Sequence, residues 1–149
     1  MNYTQDMNLL STSGYCMPFE EKDRDVQLTL RYGKQKHPKT GESFFHHGID
    51  FKTNNYFLAA VADGVVSGIG IDRKQYGLYV VIKYSKYEVT YSHMSNVFMQ
   101  FGQQVKAGLA VGVSSDLLHM EVKYDGEEID PVEFITMLYG NAKKKKEKM

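Results

Sequence analysis

The stretch Phe44–Phe51 reads FFHHGIDF, and far along the chain Leu117–Val122 reads LLHMEV. Their Val, Ile, Phe and Met content favours extended backbone, in which side chains at i, i+2 and i+4 share one face. His46, Gly48 and Asp50 are therefore expected to look the same way, with Gly48 leaving open the space between the two polar groups, while Phe45, Ile49 and Phe51 turn towards a core. In the second stretch Leu117, His119, Glu121 and Lys123 share one face, and Leu118, Met120 and Val122 form the apolar one. Two half-buried strands of this kind point to a mostly β fold.

His46, Asp50 and His119 together offer two imidazoles and a carboxylate. Zinc takes nitrogen from neutral imidazole and oxygen from carboxylate, and a catalytic zinc keeps three protein ligands so that the fourth position can hold water. An HxxxD pair alone reads more simply as a solvent-facing strand. A third segment shifts that balance: Thr90–Ser95, TYSHMS, brings His93 on another strand-like stretch.

The order of the intervening text also matters. From Phe45 to about Pro131 the chain resembles the lysostaphin and LytM type zinc metallopeptidases. The six matching segments are His46–Asp50 (HHGID), Ala60–Val65 (AVADGV), Gly77–Ile82 (GLYVVI), Thr90–Met94 (TYSHM), Gly102–Gly108 (GQQVKAG) and Leu117–Val122 (LLHMEV). Six segments in order are far more specific than any one of them. The resemblance implies an antiparallel β-sheet folded into a groove, with Zn2+ at its floor held by His46, Asp50 and His119. It further implies hydrolysis of the peptides of bacterial peptidoglycan, and His93 as the base or transition-state donor beside the metal water.

In one respect the chain departs from this pattern. The family's last motif is H-x-H, and its first histidine is here Leu117, which can neither accept a proton nor donate to a developing oxyanion. Loss of one positioned acid or base typically costs roughly 100- to 10,000-fold in rate. The glycine-rich segment that usually precedes H-x-H is reduced to Val113–Asp116, so one wall of the groove is expected to be short. Three neighbours could stand in for the missing imidazole: His47, whose parity points it away from the metal; Asp116, if the strand begins with a bulge; and His37, on the polar stretch Lys34–Glu42. Tyr91 shares parity with His93 and is a candidate to line the groove with Leu117 and hold substrate.

Global properties fit one domain, since 149 residues with 42% hydrophobic content can supply a single core. With 18 basic and 18 acidic residues the formal charge is zero, and no basic surface recommends nucleic acid. Cys16 is the only cysteine, which excludes an internal disulfide and a thiolate zinc site. No stretch has the length of a membrane span, and the start MNYTQDMNLLSTSGY lacks the basic and apolar regions of a signal peptide. A complete, unexported chain would be cytoplasmic, whereas the family implies the cell wall, the periplasm or secretion.

Residues 1–17 read as an irregular arm, 18–140 as the domain, and 141–149, with the KKKKEK run, as a solvated Lys-rich tail. Candidate strands are Val26–Tyr32, Gly48–Phe51, Gly64–Gly70, Leu78–Tyr84, Glu88–Ser92, Leu109–Val113 and Leu118–Tyr124, with Lys34–Gly41 a loop. One short C-terminal helix opens at Asp130 as N-cap, followed by Pro131, and is expected to stop at Gly140. Two functions compete: a zinc endopeptidase slowed by Leu117, and a zinc-bound but weak or inactive domain that binds wall peptides or regulates another hydrolase. A third class, carrier domains whose ADG and GQxVxxG text is similar, predicts no tight metal.

Overall fold

The computed structural model of the protein describes residues 9–19 and 26–147. Eleven strands and one helix follow in chain order: β1 (Gln27–Leu30), β2 (Gly33–Lys36), β3 (Ser43–His46), β4 (Ile49–Lys52), β5 (Phe57–Ala59), β6 (Gly64–Asp72), β7 (Gly77–Tyr84), β8 (Tyr87–Val97), β9 (Gln104–Val105), β10 (Ala110–Tyr124), β11 (Glu127–Ile129) and α1 (Pro131–Glu147). The main sheet runs β1-β4-β10-β8-β7-β6-β9, with β5 and β11 also paired to β10, and β2-β3 form a separate hairpin. Every pairing is antiparallel.

The sheet buries one face. Ile49 on β4, Val80 and Ile82 on β7, Val89 and Tyr91 on β8, and Leu118, Met120 and Val122 on β10 are fully buried, as strand alternation predicts for β10. Helix α1 closes this side through Phe134 and Leu138, the Phe134 ring lying 4.9 Å from that of Tyr87. The helix starts where the sequence places it. Asp130 accepts a hydrogen bond from the Val132 amide at 2.9 Å, capping an otherwise orphan donor, and Pro131 occupies the first helical position.

Three expectations about boundaries are corrected. Gly140 does not end α1, which continues to Glu147, so residues 141–147 are helical rather than a tail; Gly140 is absent from the positive-φ glycines, and the Ala and Lys residues that follow are good helix formers. The stretch Lys34–Gly41 is a loop only at its tip, since Gly33–Lys36 pairs with Ser43–His46. The two strands expected at 109–113 and 118–124 are one long strand, β10. On the N-terminal side, residues 9–19 carry no regular element yet pack on the domain: Leu9 is buried, and Asp63 accepts hydrogen bonds from the Thr12 amide and hydroxyl at 2.9 and 2.8 Å.

Candidate metal centre

His46 is the last residue of β3, and Asp50 lies one residue into β4. They are not on one continuous strand. The chain bends at His47 and Gly48, and it is this bend that brings the His46 Nε2 to 3.3 Å from Asp50 Oδ1. Gly48 has a different use from the one expected of it. A Cβ there would strike the Met120 carbonyl oxygen and lie 2.8 Å from His119 Cε1, so the glycine admits β10 rather than an ion.

His119 arrives from β10 directly across the ladder from Asp50. Its Nδ1 is 2.6 Å from Asp50 Oδ1, and its Nε2 is 2.9 Å from Glu121 Oε2. One donor atom from each of His46, Asp50 and His119 lies within 4.8 Å of the other two. The sequence-predicted set is therefore brought together.

Each imidazole is oriented from behind. The Arg31 carbonyl can only accept, so His46 Nδ1, 2.9 Å away, donates to it, and Nε2 is the ring nitrogen turned towards Asp50. Glu121 holds the outer nitrogen of His119 in the same way, leaving Nδ1 on the inner side. Acceptors behind metal-binding imidazoles are the usual means of fixing tautomer and ring angle. Without a metal, His119 sits between two carboxylates: burial pushes its pKa down, but the bonds to Asp50 and Glu121 outweigh it and raise it to about 9. For Asp50, burial works upwards, and His119, His46 and His93 overcome it to leave the carboxyl below its ordinary value. Two imidazoles and an ionised carboxylate, each held in place, fit a divalent transition metal.

His93 comes to the same face by a route that strand parity does not give. Ser92 pairs with His119 and Met94 with Ser114, so β10 inserts Ser115–Leu118 where β8 has only His93. His93 takes a positive φ of 61° in this bulge, its amide donating to the Tyr76 carbonyl at 2.8 Å. The ring ends edge-on to that of His119, with centroids 6.4 Å apart. Burial and the neighbouring His119 charge lower its pKa, keeping the imidazole neutral.

The same bulge reverses the expectation for Tyr91, which is fully buried on the core side with its hydroxyl 3.0 Å from that of Tyr84. It lines no groove. Leu117 is half-buried and shares strand parity with His119. Of the three possible substitutes for a lost imidazole, His47 pairs with Glu128 at 3.0 Å, His37 Nδ1 accepts the Lys39 amide in its own turn, and Asp116 is exposed. Phe45, expected in the core, is 44% exposed against Tyr32.

Two residues that sequence reasoning passed over complete the site. Glu121 had a legible signal, since it shares parity with His119. Tyr76, in the β6–β7 turn, had none; its ring stacks on His119 with centroids 6.1 Å apart. Beside them a cleft of about 260 Å³, lined by Tyr79, Val81, Thr90 and Lys123 among others, continues along the open face of the sheet.

The chain is 29% identical over 107 residues to a protein of Haemophilus influenzae described as an uncharacterized metalloprotease, a match covering 66% of this chain and 22% of that one. It is 31% identical over 96 residues to the murein hydrolase activator NlpD of Escherichia coli, covering 59% of this chain and 25% of NlpD. The chain thus spans about a quarter of the length of these curated relatives. A zinc-containing peptidase from Vibrio cholerae superposes with a TM-score of 0.60 at 29% identity, over 72% of this chain and 36% of that structure. The description of peptidase family M23 matches residues 44–131, more than half of the sequence, and the chain belongs to that family.

Proposed function

We propose that the protein is a zinc-dependent endopeptidase that cleaves peptide bonds of bacterial peptidoglycan in the cell envelope, with turnover limited by Leu117. The observation that carries this reading is the convergence of His46, Asp50 and His119, each already oriented, beside a neutral His93. The likeness to a zinc-containing peptidase supports zinc as the metal, and the likeness to a murein hydrolase activator supports peptidoglycan as the polymer.

Bound by His46, Asp50 and His119, zinc supplies a Lewis acid for the scissile carbonyl and lowers the pKa of water towards about 7. The chain's own contribution is positional. Arg31 and Glu121 hold the two imidazoles, and the cleft along Val81, Thr90 and Lys123 gives an extended peptide a floor next to them. His93 is the imidazole on this face outside the donor set, and its neutral ring can accept the proton of the attacking water or donate to the oxygen that gains charge. Leu117 can do neither on its side of the site.

A second reading is favoured by Leu117 and by the NlpD likeness: a zinc-holding domain that binds wall peptides and regulates another hydrolase. Incubating zinc-loaded protein with purified sacculi and short cross-linked wall peptides, followed by mass spectrometry, separates the two. The endopeptidase reading expects slow cleavage that stops with chelator, returns with zinc and is abolished by His93→Ala. Peptide binding without cleavage by the zinc-loaded protein would overturn it in favour of the regulator.

A further inference from the structure

Asp50 and His119 stand on strands of the main sheet, but His46 does not. It ends the β2–β3 hairpin, and among the described residues no ladder pairs that hairpin with the main sheet. Two short links join them instead: residues 31–32 lead in from β1, and residues 47–48 lead out to β4. A unit attached in this way can swing about its links unless side chains fasten it. Glu128 fastens both. The Tyr32 hydroxyl donates to Glu128 Oε2 at 2.8 Å, and His47 Nδ1 lies 3.0 Å from each oxygen of the same carboxylate. The Phe45 ring packs against both partners, with centroids 5.2 Å from Tyr32 and 4.9 Å from His47. Glu128 itself stands on β11 opposite Lys123 of β10, so it belongs to the sheet face that carries His119 and Glu121. Both of its contacts bear on His46. Tyr32 follows Arg31, whose carbonyl accepts from His46 Nδ1 at 2.9 Å, and His47 follows His46 itself.

We infer that Glu128 is a positioning residue for the metal: by fastening the two links of the β2–β3 hairpin to the main sheet, it keeps His46 Nε2 facing Asp50 and His119, and without it the hairpin swings out and takes one of the three donors with it. This rests on the reading of His46, Asp50 and His119 as zinc ligands. Glu128 lies outside that donor set and acts only through the hairpin. Removal of a partner behind a metal-binding histidine typically weakens metal affinity about 10- to 100-fold, and Glu128 acts on the backbone around the ring rather than on the ring, so the lower end, about tenfold, is expected.

The test is zinc affinity, measured on the whole chain by competition with a chromogenic chelator, together with the visible absorption of protein saturated with Co2+, which reports the donors around the ion. The unmodified protein is compared with Glu128→Ala, Tyr32→Phe, His46→Ala and Glu127→Ala, the last an exposed neighbour on β11 that serves as the control. Expected for Glu128→Ala are a loss of about tenfold in zinc affinity and a cobalt spectrum moved towards that of His46→Ala. Tyr32→Phe, which removes one hydrogen bond and leaves the ring on Phe45, should show a smaller loss in the same direction, and Glu127→Ala none. Affinity of Glu128→Ala within about twofold of the unmodified protein, an equal loss in Glu127→Ala, or weakened binding with an unaltered cobalt spectrum would each overturn the inference while leaving the ligand reading intact. Should Glu128→Ala not fold, unchanged affinity in Tyr32→Phe overturns it instead. If the unmodified protein holds no zinc, the ligand reading itself fails, and this inference falls with it.

Discussion

His119 and Asp50 face each other across the β10–β4 ladder with Nδ1 and Oδ1 2.6 Å apart, the shortest of the ion pairs around this centre. In the metal-free protein that contact is an imidazolium on a carboxylate, and a metal must displace its proton. A group whose pKa is raised on folding stabilises the fold below its unfolded value and loses that contribution as pH rises through the folded value. For His119 the window runs from 6.5 to about 9. Metal-free protein is therefore expected to melt at progressively lower temperature as pH rises across that window. Zinc affinity should move the opposite way, rising up to about tenfold per pH unit until His119 is neutral, then levelling. Melting curves with and without zinc from pH 6 to 10 check both slopes; parallel curves would contradict the proton displacement.

Gly48→Ala tests the close approach of the β3–β4 bend to β10. The new methyl meets a backbone oxygen, that of Met120, as well as His119 Cε1 and Glu121 Cγ, the latter at 2.9 Å. Because the Met120 carbonyl belongs to a central strand, it cannot step aside as a side-chain tip would. A loss of about 1–3 kcal/mol in urea unfolding is expected for such overpacking, together with weaker zinc binding as His119 is pushed from its place. Unchanged stability would mean that the two strands sit further apart than described.

Tyr91→Phe separates a core role from a substrate role. The hydroxyl it removes meets only the buried Tyr84 hydroxyl, which keeps the Val61 amide as a donor at 3.4 Å. Loss of one such buried hydrogen bond is expected to cost about 1 kcal/mol of stability, with zinc and peptide affinity untouched. Weaker peptide binding at full stability would restore Tyr91 to the groove.

Tyr91 also shows where sequence reading stops. The alternation of Leu118, Met120 and Val122 was legible because period two is all that a half-buried strand needs, and the Asp130 cap was legible because its chemistry is local. The donor set was legible from residue type and family text, even though the strand geometry first given for His46 and Asp50 was replaced by a bend. Parity carries through a strand only while the ladder is regular, and at His93 it is not: one residue of β8 faces four of β10, and the side chains on either side of the bulge exchange faces. No residue in TYSHMS announces this. Tyr76 was hidden for a related reason, since a turn residue has no face until the two strands it joins have been docked. Gly140 misled in the other direction, because glycine ends a helix only where the backbone turns left-handed, and here it does not.

Leu117→His puts an imidazole at the edge of the site on the face of β10 that carries His119. The strand is regular there, with Leu117 opposite Lys52 and His119 opposite Asp50, so the two side chains point the same way two residues apart. Leu117 is half-buried and exposed enough to be replaced without opening the core, whose apolar contacts on this strand come from Leu118 and Met120. If the endopeptidase reading is right, the added acid–base group should raise peptide hydrolysis by roughly 100- to 10,000-fold, with zinc affinity unchanged because no ligand is altered. The effect should vanish in the His93→Ala background if both imidazoles are needed to handle protons on opposite sides of the carbonyl. A variant that binds zinc and wall peptide normally but cleaves no faster would show that the Ser115–Leu118 bulge, and not the missing imidazole, limits the site, since the shortened wall would then fail to hold the scissile bond over the metal.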